Sequence, residues 1–213
     1  GIGVYAKNTT GSGKNNIINK INVSALIGNM FRLSDNKYGK SIEYPNLHLY
    51  DIAYIEKGKA LSKKNIHQGD IPVIAGGQTT PYNHNVSNYD GNVITISASG
   101  AYSGYVWFHR TPIFASDCIV VYSKDESTFK TEYIYEVLKV QQEYLYSLQR
   151  GAAQPHVYAN DLNNIQIPEI SMAKQEKIVQ YVTKIRTRAV QLLDEGNRNF
   201  EKVKQEIEKF IVN

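Results

Sequence analysis

The chain has 213 residues, 42% of them hydrophobic and 21% charged, with a formal net charge of +4, which suits one well-cored domain plus an appendage or two small domains. No apolar run approaches the roughly 18–20 residues of a membrane span, and the opening Gly1-Ile2-Gly3-Val4-Tyr5 lacks the charged-then-apolar order of a secretory signal. A single cysteine, Cys118, excludes an internal disulfide framework and fits a reducing, cytoplasmic setting.

The charge is unevenly spread. Residues 1–42 carry six Lys/Arg against one acid, residues 43–171 nine against thirteen, and residues 172–213 nine against six. Phosphate neutralisation supplies most non-specific affinity for nucleic acid, so the acidic middle argues against a generic basic clamp. Binding there must use local patches.

In chain order, residues 1–16 are rich in Gly, Asn, Thr and Lys without apolar period, which predicts a mobile leader. Ile17, Ile21, Leu26 and Phe31 fit a short helix over 17–33, and Asp35 to Gly39 reads as a turn. This poorly patterned start without an initiator Met is expected of a piece of a longer polypeptide. From Leu47 the pattern tightens: Leu47 and Leu49 alternate with Asn46 and His48, and Asp51–Ile55 is expected to form a helical turn ended by Gly58. Short strands are predicted at Ile71–Ala75, Val93–Ile96, Gly104–Phe108 and Ile119–Tyr122, bounded by Gly, Asn and Pro. Together they make a β-rich core.

One helix interrupts these strands. Ile134, Leu138, Gln141, Leu145 and Leu148 recur at three and four residues, with Ser127 or Thr131 placed to cap the start and Gly151 just past the end. The last segment has a near-heptad apolar stripe from Ile178 and Val182 to Ile207 and Phe210. Its one interruption, Glu195-Gly196-Asn197, leaves room for a kink or a two-helix split, since a helical Gly costs about 1 kcal/mol relative to Ala. A continuous helix of about 40 residues at ~1.5 Å each would span roughly 60 Å. So narrow a stripe must be buried against another helix, from a second chain or from a part of this protein outside the sequence. The fold class is α+β: a β-rich domain with a packed helix, then a coiled-coil-like helical arm.

No motif carries catalytic chemistry. Gly11-Ser12-Gly13-Lys14 resembles a phosphate loop, but that pattern needs Gly where Asn8 sits and Ser or Thr where Asn15 sits. His48, His67, His84, His109 and His156 never fall at the spacing that puts two on one helix face, so no metal site is expected. No Glu is followed two residues later by Lys, as metal-dependent nucleases require, and Ser97 and Ser99 lack a Gly-x-Ser-x-Gly elbow. An Asn-Pro-Pro-aromatic run of the kind amino-methyltransferases use is also missing. No cofactor is expected.

Binding is better represented. The run Gly76-Gly77-Gln78-Thr79-Thr80-Pro81-Tyr82-Asn83-His84 is a polar loop in which Gln78 and Asn83 could pair with adenine and Thr79 and Thr80 could meet a thymine methyl; a plain solvated loop is the alternative. The small residues from Ser97 to Gly104, among them Ser99 and Tyr102, either let backbone amides approach a ligand or simply make a tight hairpin. In Gln149 to His156, Arg150 could neutralise a phosphate with Gln154 and His156 as neutral donors, or complement a helix C-terminus. Lys57, Lys59, Lys63 and Lys64 are the basic patch of the middle region, suited to tracking a phosphate backbone. Tyr82 and Tyr102 belong to a set of sixteen tyrosines, whose amphipathic rings serve sheets, interfaces and nucleobases alike.

The order Ile55-Glu56-Lys57-Gly58, Gly69 to Ile74, Ile96 to Gly100, Gly104-Tyr105-Val106, Gln154-Pro155-His156, Leu162 to Pro168 and Gln175 to Val179 resembles the specificity subunit of type I restriction–modification systems. The resemblance covers about residues 43–213 and half of such a subunit. It implies a target recognition domain over 43–171 and a helical spacer or dimerisation arm over 172–213; residues 1–42, a leader of uncertain structure, do not match the family's usual start. Such a subunit is not itself catalytic. It binds a specific double-stranded DNA sequence and positions a DNA methyltransferase, as a subunit or a fused domain, and a restriction subunit. Two recognition domains separated by paired antiparallel helices are typical, so self-association or pairing of the arm with a second helix is implied. A carbohydrate- or protein-binding β-domain with a multimerising arm is the alternative, since Gly, Asn and Tyr loops on an acidic β core also suit lectins.

Overall fold

The computed structural model describes residues 44–212. The expected leader, the helix over 17–33 and the turn at 35–39 lie outside the described residues.

The described chain begins with β1 (Asn46–His48), which runs antiparallel to the last strand of the body, β9 (Gln166–Pro168), with Leu47 opposite Ile167. This pairing closes the body on itself and fixes where the arm departs. A helical turn α1 (Leu49–Ile52) follows and leads into β2 (Ala53–Lys57). The expectation of a helical turn over Asp51–Ile55 is therefore corrected. Leu49 and Ile52, three apart, are both buried on one face of the turn. From Ala53 a two-residue period takes over, with Tyr54 and Glu56 exposed and the strand paired along β8 (Cys118–Ser123).

A four-stranded antiparallel sheet in the order β2-β8-β5-β6 forms the centre, with β5 at Val93–Ser97 and β6 at Val106–His109. A smaller sheet, β4-β3-β7, comprises Asn83–His84, Ile71–Ile74 and Phe114–Ala115, with β3 and β7 parallel. Ile94, Ile96, Ile119 and Val121 face the helices and form the larger core. Val93, Cys118 and Val120 point the other way, onto Ile74, Ile113 and Ala115. With both faces covered, β5 reads as an unbroken apolar or small run rather than an alternating one. Nine strands stand among the described residues, against the four expected from apolar runs; β4, β7 and β9 are two or three residues long, too short to show a period.

The single helix expected from Ile134 to Leu148 is two helices, α2 (Thr131–Val140) and α3 (Gln142–Ser147), broken at Gln141. The break lets Gln141 donate to Gln166 O (3.1 Å) while Gln142 turns to the β5–β6 connection. Neither expected cap forms. Lys130 is the N-cap residue, the Thr131 hydroxyl accepts from Ser123 N–H (2.8 Å), and the Ser127 hydroxyl donates to Asp125. Gly151, at φ +102°, lies three residues past the C-cap Leu148 and serves the chain reversal that follows instead.

After α4 (Ala159–Leu162) and β9 comes α5, Met172–Val212, 41 residues without a break. The two-helix split considered at Gly196 does not occur. The cost of one helical Gly is spread over a helix with several buried anchors, Ile178 and Val182 among them, and good helix formers on both sides. No described helix is long and apolar enough to cross a membrane.

Candidate functional site

Three connections between these elements interlock. The chain leaving β3 passes Ser97, whose hydroxyl accepts from Gly77 N–H (3.0 Å) and donates to Gly77 O (2.9 Å). Beyond β5 the turn to β6 is tight: Gly104 N–H donates to Ser97 O (2.8 Å) and Ser103 N–H to Gly100 O (3.0 Å). Gly104 sits at φ +90°, and a Cβ there would lie 2.7 Å from Leu145 O, so only glycine fits. The third connection, after α3, is the reversal in which Arg150 and His156 exchange backbone hydrogen bonds of 2.9 and 2.8 Å. It is sewn to the second by Gly100 N–H donating to Pro155 O (2.9 Å) and Val157 N–H donating to Ala98 O (3.0 Å).

The turn from Gly100 to Gly104 is also held from beneath. Gln142 Nε2 donates to Gly104 O (2.7 Å), Gln149 Nε2 to Ser103 O (2.7 Å), and Val106 N–H donates to Gln142 Oε1 (3.1 Å). Lys139 Nζ donates to Val106 O (3.0 Å) and lies 4.1 Å from the Tyr105 ring centre. Burial, with the nearby charge of Arg186, brings its pKa down to about 8, against the pull of Glu136.

The predicted site residues divide by how free they are. Thr79, Thr80, Tyr82, Tyr102 and Gln154 are exposed on the interlocked connections. Asn83 is exposed but opens β4 opposite Pro72, so the polar run predicted as loop ends in a strand. Gln78 is half-buried and hydrogen-bonded to the Tyr146 side chain. Ser99 is buried, its hydroxyl donating to Asp117, which leaves only its backbone near the surface. Arg150 is exposed and ion-paired with Asp161, its guanidinium 5.6 Å from the Tyr158 ring. His156 stacks on that same ring at 6.2 Å. Arg150 thus braces α4, a role that the helix-dipole alternative did not foresee.

Lys57, Lys59, Lys63 and Lys64 are all exposed and form no ion pair among the described residues. Lys63 and Lys64 stand on a short 3-10 turn, Lys63–Asn65. The segment bearing them is tied to the strip Ala115–Cys118 by Gly58 N–H to Cys118 O (2.8 Å), Lys59 N–H to Ala115 O (2.9 Å) and Leu61 N–H to Ser116 Oγ (3.3 Å). Asp117, in that strip, accepts from Ser99. The basic segment therefore flanks the interlocked connections, one residue strip away.

Beside Gln78 a groove of about 500 Å³ opens between β6, α2 and α5, lined among others by Tyr105, Trp107, Tyr135, Arg186 and Thr187. Asp117, Tyr146, Lys139, Gln142 and Gln149 are missed by sequence reasoning. Each acts through a partner 18 to 68 positions away, which no local pattern encodes. Among the described residues no cluster of three His, Cys, Asp or Glu could hold a metal ion. Cys118 is buried, and burial together with the Asp117 charge pushes its thiol up to about 12, which keeps it unreactive.

The sequence profile of the type I restriction modification DNA specificity domain matches residues 42–201, and the chain belongs to that family. Solved structures share the fold. A type I restriction–modification S subunit from M. genitalium superposes with a TM-score of 0.65 at 23% identity, over 76% of this chain and 45% of that one. An HsdS subunit from Thermoanaerobacter tengcongensis gives 0.55 at 14% identity over 86% and 47%. A chain from a type I restriction–modification assembly gives 0.64 at 14% over 92% and 51%. The chain thus spans about half the length of these structures. No curated protein matches it.

Proposed function

We propose that residues 43–171 are a target recognition domain that binds double-stranded DNA sequence-specifically, and that residues 172–213 are the arm that sets its distance from a second such domain. The observation that carries this reading is the interlocking of three polar connections beside an unpaired lysine segment. That arrangement divides labour as DNA recognition requires: Lys57, Lys59, Lys63 and Lys64 engage phosphates, while Gln78, Thr79, Thr80, Tyr82, Asn83, Tyr102 and Gln154 face bases. Arg150 and His156 hold their connection in place and add a phosphate contact at its edge. Ser99 contributes backbone geometry.

The domain does no chemistry in this reading. It positions a DNA methyltransferase and a restriction subunit on the sequence it holds. The arm supports the second part: Phe200, Ile207 and Phe210 are 68%, 52% and 87% exposed, on a stripe that nothing in the described chain covers. Such a stripe pairs with a second helix, most simply the arm of another copy.

The test compares variants in a gel-shift series on duplex DNA. Lys63→Ala with Lys64→Ala is expected to weaken binding evenly across sequences and to lower the salt slope. Gln78→Ala or Thr80→Ala is expected to relax preference at one base position, at a cost of about 1–3 kcal/mol. Equal loss on every sequence from both kinds of variant would remove the loop from the reading face.

A further inference from the structure

The joint between body and arm is built more firmly than helix packing alone requires. Gln175, in the first turn of α5, is 0% exposed. Its Nε2 donates to Thr128 O (2.8 Å) and Ile170 O (3.0 Å), and its Oε1 accepts from Lys130 N–H (2.9 Å). Three backbone groups at the start of α2 and before α5 are thereby satisfied by one side chain. Three turns further on, Arg186 makes a two-pronged pair with the buried Glu136 of α2, with Nη2 to Oε2 at 2.6 Å. The guanidinium also lies 5.3 Å from the Tyr135 ring. Ile178 and Val182 are buried between these two fixings.

Two anchors at separate points along α5 fix its direction, where one would leave a pivot. The consequence is one of leverage. From Thr187 to Val212 the arm runs about 39 Å at ~1.5 Å per residue. A tilt of about 15° at the joint moves its tip by about 10 Å, or about three base pairs at ~3.4 Å each.

We propose that Gln175 and the Arg186–Glu136 pair are positioning residues that determine the spacing between two half-sites on DNA, without touching DNA themselves. This rests on the DNA-reading function proposed above and on a second recognition domain carried by the arm's partner. The polar character of the joint fits the role, because hydrogen bonds and a forked ion pair define direction, whereas an apolar contact of equal area permits sliding.

The test uses the full chain. A motif is first selected from a randomised duplex pool. Duplexes then carry one copy of it, or two copies at separations that differ by single base pairs. The wild type is expected to prefer one separation. Gln175→Leu and the double variant Glu136→Leu/Arg186→Met are expected to keep wild-type affinity for the single copy, while the preferred separation shifts by at least one base pair or spreads over its neighbours. A loss of stability alone would weaken every duplex without moving that preference. If a variant loses single-copy binding, Glu136→Gln/Arg186→Gln, which keeps the shape without the charges, takes its place. Variants that hold the motif and the same sharp separation would overturn the proposal. A wild type that selects a motif but shows no preferred separation leaves DNA reading intact and refutes this inference, and one that selects no motif removes both.

Discussion

His109 and Thr95 meet on the smaller-core side of the central sheet, with Nε2 and Oγ1 2.7 Å apart. Burial brings the imidazole pKa down to about 4, so the ring is neutral in the folded chain at neutral pH. A depressed folded pKa makes a contribution to stability that is complete above the unfolded value near 6.5 and is lost as the pH falls toward 4. The size of this acid-linked loss is about 3 kcal/mol. Urea unfolding at neutral pH and near pH 4.5 is expected to show that loss in the wild type and a flatter response in His109→Gln. Equal slopes in both proteins would assign the acid sensitivity elsewhere. Nothing local in the sequence marks Thr95, fourteen positions away, as the partner of this histidine.

At the scale of elements, the connection from β5 to β6 is the most constrained part of the site. Gly104→Ala would place a methyl against Leu145 O, and it would do so at φ +90°, a conformation that L-residues seldom adopt. Destabilisation of at least about 2 kcal/mol is expected in chemical denaturation, with loss of DNA preference in gel shifts at temperatures where the chain stays folded. A neutral Gly104→Ala would contradict the close approach. Here the sequence was partly legible. The cluster of small residues from Ser97 to Gly104 announced a tight connection, and the strands on either side followed from their apolar runs. The brace of Lys139, Gln142 and Gln149 beneath it was not legible, because it depends on a helix break at Gln141 that hydrophobic spacing passes straight through. The β2 strand was misjudged for a related reason: Leu49 and Ile52 share a helical face, and the switch to a two-residue period at Ala53 leaves no room for both readings. Short strands such as β7 owe their existence to pairing with β3 rather than to any period of their own.

At the scale of the whole molecule, the body presents its polar connections on one set of neighbouring segments and sends out an arm anchored by its first turns. The heptad pattern predicted the arm, but Ile178 and Val182 at the start of its stripe pack into this chain's own core and only the later part, from Phe200 to Phe210, is left uncovered; the unbroken passage through Gly196 needed the structure. The family resemblance rested on scaffold segments such as Gly69 to Ile74 and Gln154 to His156, which do not include most of the residues of the proposed reading loops. Net acidity over residues 43–171 remains consistent with this, since the lysine segment lies at the flank and the centre is left to neutral side chains. Sequence-specific DNA binding by this chain is tested by selection of the full chain against a randomised duplex pool at low and at physiological salt. One enriched motif is expected, its logarithmic affinity falling linearly with the logarithm of salt, with a slope close to that of a few phosphate contacts. Retention of DNA without enrichment of any motif, or no retention even at low salt, would contradict it.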